Sequence, residues 1–286
     1  MLPATRIIPT IIDRSIKNAL KEDIGSGDIT TTATISASRV LEGFFLAKEA
    51  GIIAGLEVAR RVFFLSDPNI VYRANISDGT PVKKGTILAS VQGSAKSILS
   101  SERVALNYLQ RMSGIATQTR RFVLAVKGTG AIILDTRKTA PGLRVFDKWA
   151  VKLGGGHNHR FGLFDMVLVK DNHIAAAGGI TNAVRALRRK SRKPIEIEVT
   201  TMEQLREAVS LRPDRIMLDN MSVAQMKEAV RLVGSKVPLE ASGNVNLKNV
   251  SNIAKTGVTY ISIGSLTHSV KALDISLEMK PYVHGT

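Results

Sequence analysis

From about residue 113 onward, short apolar runs that end in polar residues alternate with segments whose apolar residues recur at helical spacing. The runs are 131–138, 165–172, 195–199, 215–220, 237–243 and 260–265. Near-continuous apolar strands that alternate with helices are typical of a parallel sheet covered by helices. The pattern therefore predicts this layout, which either a βα barrel or an open doubly wound sheet would satisfy.

The ends of these runs favour the barrel. Each run delivers a charged residue or a glycine near its carboxyl end, where a βα barrel gathers its catalytic groups on one face. Core packing alone does not require such a pattern. The residues at these ends are Asp135, Arg137, Lys138, Lys170, Glu198, Asp219, Glu240 and Gly264.

The chain before residue 113 has a different character, with short strands separated by turn residues and then an amphipathic helix over 100–112. The strands are expected at 41–48, 69–75, 86–92 and 95–99. We expect an α+β domain over 1–112, a barrel domain over 113–269, and a C-terminal segment, 270–286, that packs back on the first domain.

Two helices of the second part are expected to begin with capping boxes, in which side chains satisfy the first free amides of the helix. One pairs Thr200 with Glu203, and the other pairs Ser222 with Gln225.

Composition limits the class of protein. The formal net charge is +16, which attracts anions, but aromatic residues make up only 5%, so stacking-based binding of nucleic acid is not indicated. No apolar run approaches the ~20 residues of a membrane-spanning helix, and no membrane partner is expected. The chain contains no cysteine, which excludes disulfides and thiolate chemistry and suggests a cytoplasmic location.

Basic and acidic residues of the second part suit a site for anions. The guanidinium groups of Arg137 and Arg160 match carboxylates, whereas Lys138 and Lys170 are compact positive charges. Glu198 and Asp219 could hold sugar hydroxyls, or a Mg²⁺ ion that rides on a pyrophosphate. The glycine-containing turns at 241–244 and 263–265 could bind a phosphate on backbone amides.

Two other kinds of site remain open from the residues alone. His157, His159 and His173 could hold a metal ion as in barrel metallohydrolases, although the neighbouring Arg160 opposes a dication. The run 185–193 has six basic residues in nine positions and could bind RNA, although the solvated end of a surface helix explains it better.

Long segments of the chain carry a resemblance to a known family. They are EDIGSGDIT at 22–30, IIAGLEVARRVF at 52–63, SERVALNYLQRMSGIAT at 101–117 and the 40-residue block that begins DTRKTAPG at 135. IEIEV, IMLDN, EASG and ISIGSLTHS follow in order. In these segments the chain resembles the quinolinate phosphoribosyltransferases, also called nicotinate-nucleotide pyrophosphorylases (carboxylating).

The resemblance implies an N-terminal α/β sandwich domain followed by an open, incomplete α/β (TIM-like) barrel. It also implies a homodimer or higher homo-oligomer with an active site shared between subunits. The implied reaction converts quinolinate and phosphoribosyl pyrophosphate, with Mg²⁺, into nicotinate mononucleotide, pyrophosphate and carbon dioxide. This reaction belongs to NAD biosynthesis. The nearest alternative to this function is that of a related phosphoribosyltransferase with a different acceptor.

The resemblance also implies roles for individual residues. Quinolinate would be bound by Arg137, His159, Arg160 and Lys170, with Arg103 from the neighbouring subunit. Phosphoribosyl pyrophosphate and its metal ion would be held by Lys138, Glu198, Asp219, Ser242, Gly243 and Gly264. Among these, Glu198, Asp219 and Lys138 are the expected catalytic residues.

Three positions depart from the family pattern. Asp135 stands where glutamate is frequent, Ala140 where threonine is frequent, and Asn244 where a second glycine is common. The last change matters most, because it lies in the expected phosphate loop. Asparagine tolerates the left-handed backbone region but adds bulk there.

Overall fold

The structure is a computed structural model that describes residues 7–281. In chain order its helices are α1 (Ile7–Ile24), α2 (Ile29–Thr34), α3 (Leu56–Ser66), α4 (Ala95–Ala125), α5 (Arg144–Leu153), α6 (Asp171–Ala177), α7 (Ile180–Lys190), α8 (Met202–Ser210), α9 (Val223–Val233), α10 (Val250–Ala254) and α11 (Ser265–His268). Its strands are β1 (Val40–Ala47), β2 (Gly51–Ile52), β3 (Val71–Ala74), β4 (Pro81–Val82), β5 (Ile87–Ser94), β6 (Ile132–Leu134), β7 (Val167–Val169), β8 (Ile195–Val199), β9 (Arg215–Asp219), β10 (Leu239–Ser242), β11 (Tyr260–Ser262) and β12 (Ile275–Pro281).

The chain divides into two compact units. The first unit comprises Met1–Gln118, Thr139–Gly155 and Ser269–Thr286, and the second comprises Thr119–Lys138 and Gly156–His268. Helix α4 runs continuously through the boundary expected at residue 112.

The first unit is built on an antiparallel sheet with strand order β12-β1-β5-β3, beside the short antiparallel pair of β2 and β4. Along β1, buried positions alternate with less buried ones, as expected of a strand with one face on the core. Phe45 of β1 and Phe63 of α3 meet edge to face on the covered side of the sheet, with ring centroids 6.0 Å apart. The C-terminal strand β12 pairs with β1 over seven residues.

The prediction of one strand in this unit is wrong. Residues 95–99 form the first turn of α4 and not a strand. Ala95, Ile98, Ala105 and Met112 are all buried, and their separations fit one face of a helix that begins earlier than 100. The five residues 95–99 are too few to show this longer helical period.

The second unit is a six-stranded parallel sheet with order β6-β11-β10-β9-β8-β7. These strands coincide with the six predicted runs. In the described residues β6 and β7 lie at the two ends of the sheet and do not pair, so the barrel is open. The expected α/β class, with a sandwich domain and an open, incomplete barrel, is confirmed.

Of the two predicted capping boxes, the one at α9 is confirmed, whereas the cap of α8 lies one residue after the predicted position. Ser222 Oγ accepts from the backbone of Gln225 at the start of α9, and the Gln225 side chain accepts from the Ser222 amide. At α8 the cap is Thr201, which accepts from the Gln204 amide. The helix therefore begins one residue later than predicted, because two adjacent threonines offer the same cap.

None of the helices in residues 7–281 combines the length and the apolar character that crossing a membrane demands.

Candidate active site

Most of the predicted site residues lie at the carboxyl ends of the parallel strands. Lys170 directly follows β7 and is the N-cap residue of α6. Glu198 lies near the end of β8, and Asp219 is the last residue of β9. Ser242 ends β10, and Gly264 follows β11 by two residues. Because all these strands are parallel and adjacent, their ends share one edge of the sheet.

Glu198 and Lys170 form a direct contact at this edge. Lys170 Nζ donates to Glu198 Oε2, with the two side chains 42% and 11% exposed respectively. The carboxylate is therefore largely shielded from water, whereas the ammonium is accessible. The structure thus places a residue expected to bind quinolinate against one expected to bind phosphoribosyl pyrophosphate.

Asp219 is joined to the loop after β10 by two side-chain amides. Asn220 Nδ2 donates to Asp219 Oδ2 at 2.8 Å, and Asn244 Nδ2 donates to Asn220 Oδ1 at 3.1 Å. The Asn220 amide also donates to the Ser242 carbonyl at 2.9 Å. The unusual Asn244 therefore connects the expected phosphate loop to the expected catalytic carboxylate.

The backbone of this loop explains its residue types. Asn244 has φ of 52° and Gly243 has φ of 94°, both in the left-handed region. A Cβ atom at Gly243 would lie 2.2 Å from Asn220 Oδ1, which excludes any larger residue without rearrangement. Asn244 tolerates its own backbone conformation, so the departure from the family pattern is compatible with the loop.

Lys138 lies beside the turn that follows β11. Its carbonyl accepts from Thr267 Oγ1 at 2.8 Å, and a Cβ atom at Gly264 would lie 3.2 Å from the Lys138 Cδ atom. Glycine at 264 therefore permits the lysine side chain to lie close to this turn. The structure brings together these two residues, both expected to bind phosphoribosyl pyrophosphate.

Arg160 and Arg137 place two positive charges near each other in the second unit. Burial lowers the pKa of the Arg160 guanidinium, and the Arg137 charge lowers it further. Arg160 Nη1 donates to the Met166 carbonyl at 3.2 Å, which holds the side chain in place. Two neighbouring guanidinium groups suit an anion that carries more than one negative charge.

Arg103 lies on α4, in the first unit, and its side chain is exposed. Its expected role across a subunit boundary stays a prediction.

The three histidines considered as metal ligands do not form a cluster. His157 and His173 are exposed, whereas His159 is buried. Among the described residues, the group with metal-ligand spacing is instead His159 with Glu196 and Glu240.

Sequence reasoning missed this buried group. Glu240 was expected at the strand-end rim, but it is fully buried and pairs with Arg215 at 2.7 Å. Glu196 is also fully buried, with its carboxylate 2.8 Å from His159 Nε2. The available signal was the spacing in IEIEV, since residues two apart on a strand point to the same face. Glu196 therefore lies on the same face of β8 as Glu198, two residues nearer the start of the strand.

The two buried carboxyls have strongly altered acidity. Burial raises the pKa of Glu196 to about 7, and burial with the neighbouring Glu196 charge raises that of Glu240 in the same direction. Because the folded state holds protons more tightly than the unfolded state, this pair lowers stability as pH rises from about 4.5 to about 7.

We therefore expect a pH-dependent loss of stability that the Glu196→Gln variant reduces. Glutamine cannot ionise. As pH rises over this interval, the free energy of unfolding should therefore decrease by up to about 3 kcal/mol less in the variant than in the wild type. Urea unfolding at pH 5 and pH 7.5 measures the difference, with the exposed Glu228→Gln as matched control. Equal pH slopes in the wild type and Glu196→Gln would contradict the expectation.

Comparison with known proteins gives a consistent result along the chain. Residues 28–113 match the quinolinate phosphoribosyl transferase N-terminal domain model, and residues 115–278 match the C-terminal domain model. The chain is 49% identical over 285 residues to "Quinolinate phosphoribosyltransferase [decarboxylating] 2b, mitochondrial" of Nicotiana tabacum, covering 92% of this chain and 81% of that protein. It is 45% identical over 274 residues to "Nicotinate-nucleotide pyrophosphorylase [carboxylating]" of Mycobacterium leprae, covering 93% of this chain and 96% of that one.

Solved structures agree with these matches. The crystal structure of NadC from Streptococcus pyogenes superposes with a TM-score of 0.92 at 40% identity, covering 98% of this chain and 100% of that chain. Both domain models match in order and together span most of the sequence. The chain therefore belongs to the quinolinate phosphoribosyltransferase family.

Proposed function

We propose that this protein transfers the phosphoribosyl group of phosphoribosyl pyrophosphate to quinolinate, with loss of carbon dioxide, to form nicotinate mononucleotide in NAD biosynthesis. The observation that carries the proposal is the paired charge of Arg137 and Arg160 in the unit that also holds the Glu198–Lys170 contact. Quinolinate has two adjacent carboxylates, which match two guanidinium groups and an ammonium. The names of the relatives in Nicotiana tabacum and Mycobacterium leprae support the same reaction.

In the proposed chemistry, the bond between the ribose anomeric carbon and the pyrophosphate oxygen breaks, and pyrophosphate leaves with the electron pair. The pyridine nitrogen of quinolinate then forms a bond to that carbon. The positively charged ring accepts the electrons of the adjacent carbon–carboxylate bond as carbon dioxide departs, and the ring carbon takes a proton from solvent. No protein nucleophile takes part.

The residues of the second unit act by position and charge. Arg137 and Arg160 orient the quinolinate carboxylates, and Lys170 adds a third positive charge. Glu198 and Asp219 stabilise the positive charge that develops on the ribosyl ring, while Lys138 balances the charge of the departing pyrophosphate. The backbone near Ser242, Gly243 and Gly264 is proposed to accept the 5′-phosphate.

The residues fit a magnesium ion carried by the pyrophosphate. Glu198 and Asp219 lie on neighbouring strands and offer carboxylate oxygens, the ligand type that Mg²⁺ prefers. The bound ion would neutralise charge on the leaving pyrophosphate.

The shared active site of a homodimer, with Arg103 from the neighbouring subunit, is also part of the proposal and follows from the family resemblance. The cytoplasmic location stays a prediction, and the Nicotiana tabacum relative carries the word mitochondrial in its name.

A coupled product assay tests the proposed function. The protein is mixed with phosphoribosyl pyrophosphate, Mg²⁺ and either quinolinate, nicotinate or nicotinamide, and carbon dioxide and mononucleotide are followed. Of the three acceptors, we expect only quinolinate to be converted. Carbon dioxide and mononucleotide should then form in equal amounts. Turnover with nicotinate or nicotinamide but not quinolinate would assign a different acceptor, and failure of a folded protein with all three would refute the proposal.

A further inference from the structure

Both ring nitrogens of His159 make contacts within the protein. The Arg160 amide donates to His159 Nδ1 at 2.7 Å, and His159 Nε2 lies 2.8 Å from Glu196 Oε2. A nitrogen that accepts a hydrogen bond carries no proton, so the neutral ring must carry its proton on Nε2. The Glu196 carboxyl, 2.8 Å away, is the acidic group that faces this proton, and the Arg160 amide fixes which nitrogen is unprotonated.

A second carboxyl group supports this arrangement. Glu240 Oε1 lies 3.6 Å from His159 Nε2, and Glu240 Oε2 accepts from Arg215 Nη1 at 2.7 Å. The Arg215 guanidinium in turn stacks on the Tyr260 ring, 3.9 Å from its centroid. The position of the Glu240 carboxyl is therefore set by residues of strands β9, β10 and β11.

This group is shielded from solvent. The side chains of Glu196 and Glu240 are fully buried, and that of His159 is 5% exposed. Burial removes the water molecules that would otherwise screen the contacts between the imidazole and the two carboxyls, so their mutual attraction is strong.

The His159 ring acts on the backbone that carries Arg160. Its Nδ1 atom accepts from the Arg160 amide, while its own amide donates to Asp135 Oδ1 at 2.9 Å. Rotation of the imidazole would release the Arg160 amide and allow the guanidinium to shift relative to Arg137. An error of about 1 Å in such a binding group can lower rates about 100-fold.

A metal ion is a less suitable occupant of this group than a proton. Histidine with two carboxylates can bind zinc. However, Arg215 already pairs with Glu240, and the Arg160 charge acts on Glu196. Two fixed positive charges next to the carboxyls oppose a divalent cation.

We propose that Glu196 and Glu240 are positioning residues of the quinolinate site, which hold His159 in its Nε2-protonated tautomer and through it fix Arg160 for the substrate carboxylates. This proposal rests on the proposed function for its consequence in catalysis, whereas the tautomer itself can be measured without substrate.

The first test is nuclear magnetic resonance of the wild-type protein labelled with ¹⁵N-histidine. Long-range proton–nitrogen spectra distinguish the two tautomers, and the signal of His159 is assigned by its loss in His159→Asn. We expect a protonated Nε2 and an unprotonated Nδ1 at pH 7.5. A proton on Nδ1, or on both nitrogens, would overturn the proposal without any need for a folded variant at Glu196.

The second test compares two variants at one position. Glu196→Leu removes the acceptor at similar volume, and Glu196→Gln keeps an oxygen that can accept from Nε2. We expect the KM for quinolinate to rise about 100-fold in the leucine variant and less than about 10-fold in the glutamine variant. The KM for phosphoribosyl pyrophosphate should change less than about twofold in either.

Controls separate positioning from general stability. Glu228→Gln, on the exposed face of α9, should leave both KM values unchanged. A lowered melting temperature in Glu196→Leu with an unchanged KM for quinolinate would show a purely structural role and overturn the proposal. So would stoichiometric zinc that is lost in Glu240→Gln.

The spectra and the kinetics also distinguish a failure of the proposed function from a failure of the positioning role. Wild-type protein that shows the expected tautomer but no turnover of quinolinate would refute the proposed function and not the geometry around His159. Normal turnover with the opposite tautomer would refute the positioning role alone.

Discussion

Replacement of Arg137 by alanine is expected to lower kcat/KM for quinolinate about 100- to 1,000-fold. Loss of one member of a buried, hydrogen-bonded charge pair typically costs 2–5 kcal/mol, because the remaining charge loses its partner. Here the remaining charge is a carboxylate of the substrate. The pair formed by Arg137 and Arg160 would be reduced to one guanidinium, so the effect should be largest on quinolinate and small on phosphoribosyl pyrophosphate.

Steady-state kinetics with each substrate varied in turn measures this effect. Arg137→Lys should recover part of the activity, because lysine keeps the charge and loses the two-pronged geometry. Arg206→Ala, on the exposed side of α8, is the matched control and should behave as wild type. A kcat/KM for quinolinate near the wild-type value in Arg137→Ala would refute the assignment of this residue to the carboxylates.

Replacement of Glu198 by glutamine is expected to lower kcat about 100- to 1,000-fold, with a smaller change in the binding of either substrate. Glutamine preserves the shape of the side chain and removes its charge, so the variant loses stabilisation of the positive ribosyl centre that exists only in the transition state. Because Glu198 is only 11% exposed, water cannot replace the lost charge effectively.

Single-turnover rates and equilibrium binding, measured separately, distinguish this outcome from weakened binding. The Lys170 ammonium loses its ionic partner in Glu198→Gln, and the double variant with Lys170→Met determines whether the two residues act together. Glu228→Gln again serves as the control on an exposed helix face. A single-turnover rate within about threefold of wild type would exclude Glu198 from transition-state stabilisation.

The contact between Asn220 and Asn244 shows how a departure from a family pattern can be explained by the fold. The sequence shows only that a polar residue replaces a frequent glycine. The structure shows that Asn244 donates to Asn220, which donates to Asp219. Hydrogen bonds between residues 24 positions apart depend on strand pairing, and no local pattern predicts them.

The start of helix α4 shows where a short segment of sequence leads to a wrong prediction. The sequence predicts a strand at 95–99, because the five residues AKSIL are too few to distinguish the period of a strand from that of a helix. Buried positions farther along the helix, such as Leu109 and Met112, belong to the same face as Ile98. Only the longer period, completed by packing in the first unit, decides the assignment.

The sequence by itself determined the alternation of strands and helices after residue 113, the different character of the chain before it, and the residues at the strand ends. These features depend on local periodicity and on the rule that parallel strands present their carboxyl ends at one edge. The open, incomplete barrel and the sandwich domain were implied by the family resemblance. Only the tertiary structure decided which polar residues lie beneath that edge. Glu196, Arg215 and Glu240 come from three strands, and their burial together around His159 depends on register and side-chain direction across the sheet. These are properties of paired strands and not of any one segment.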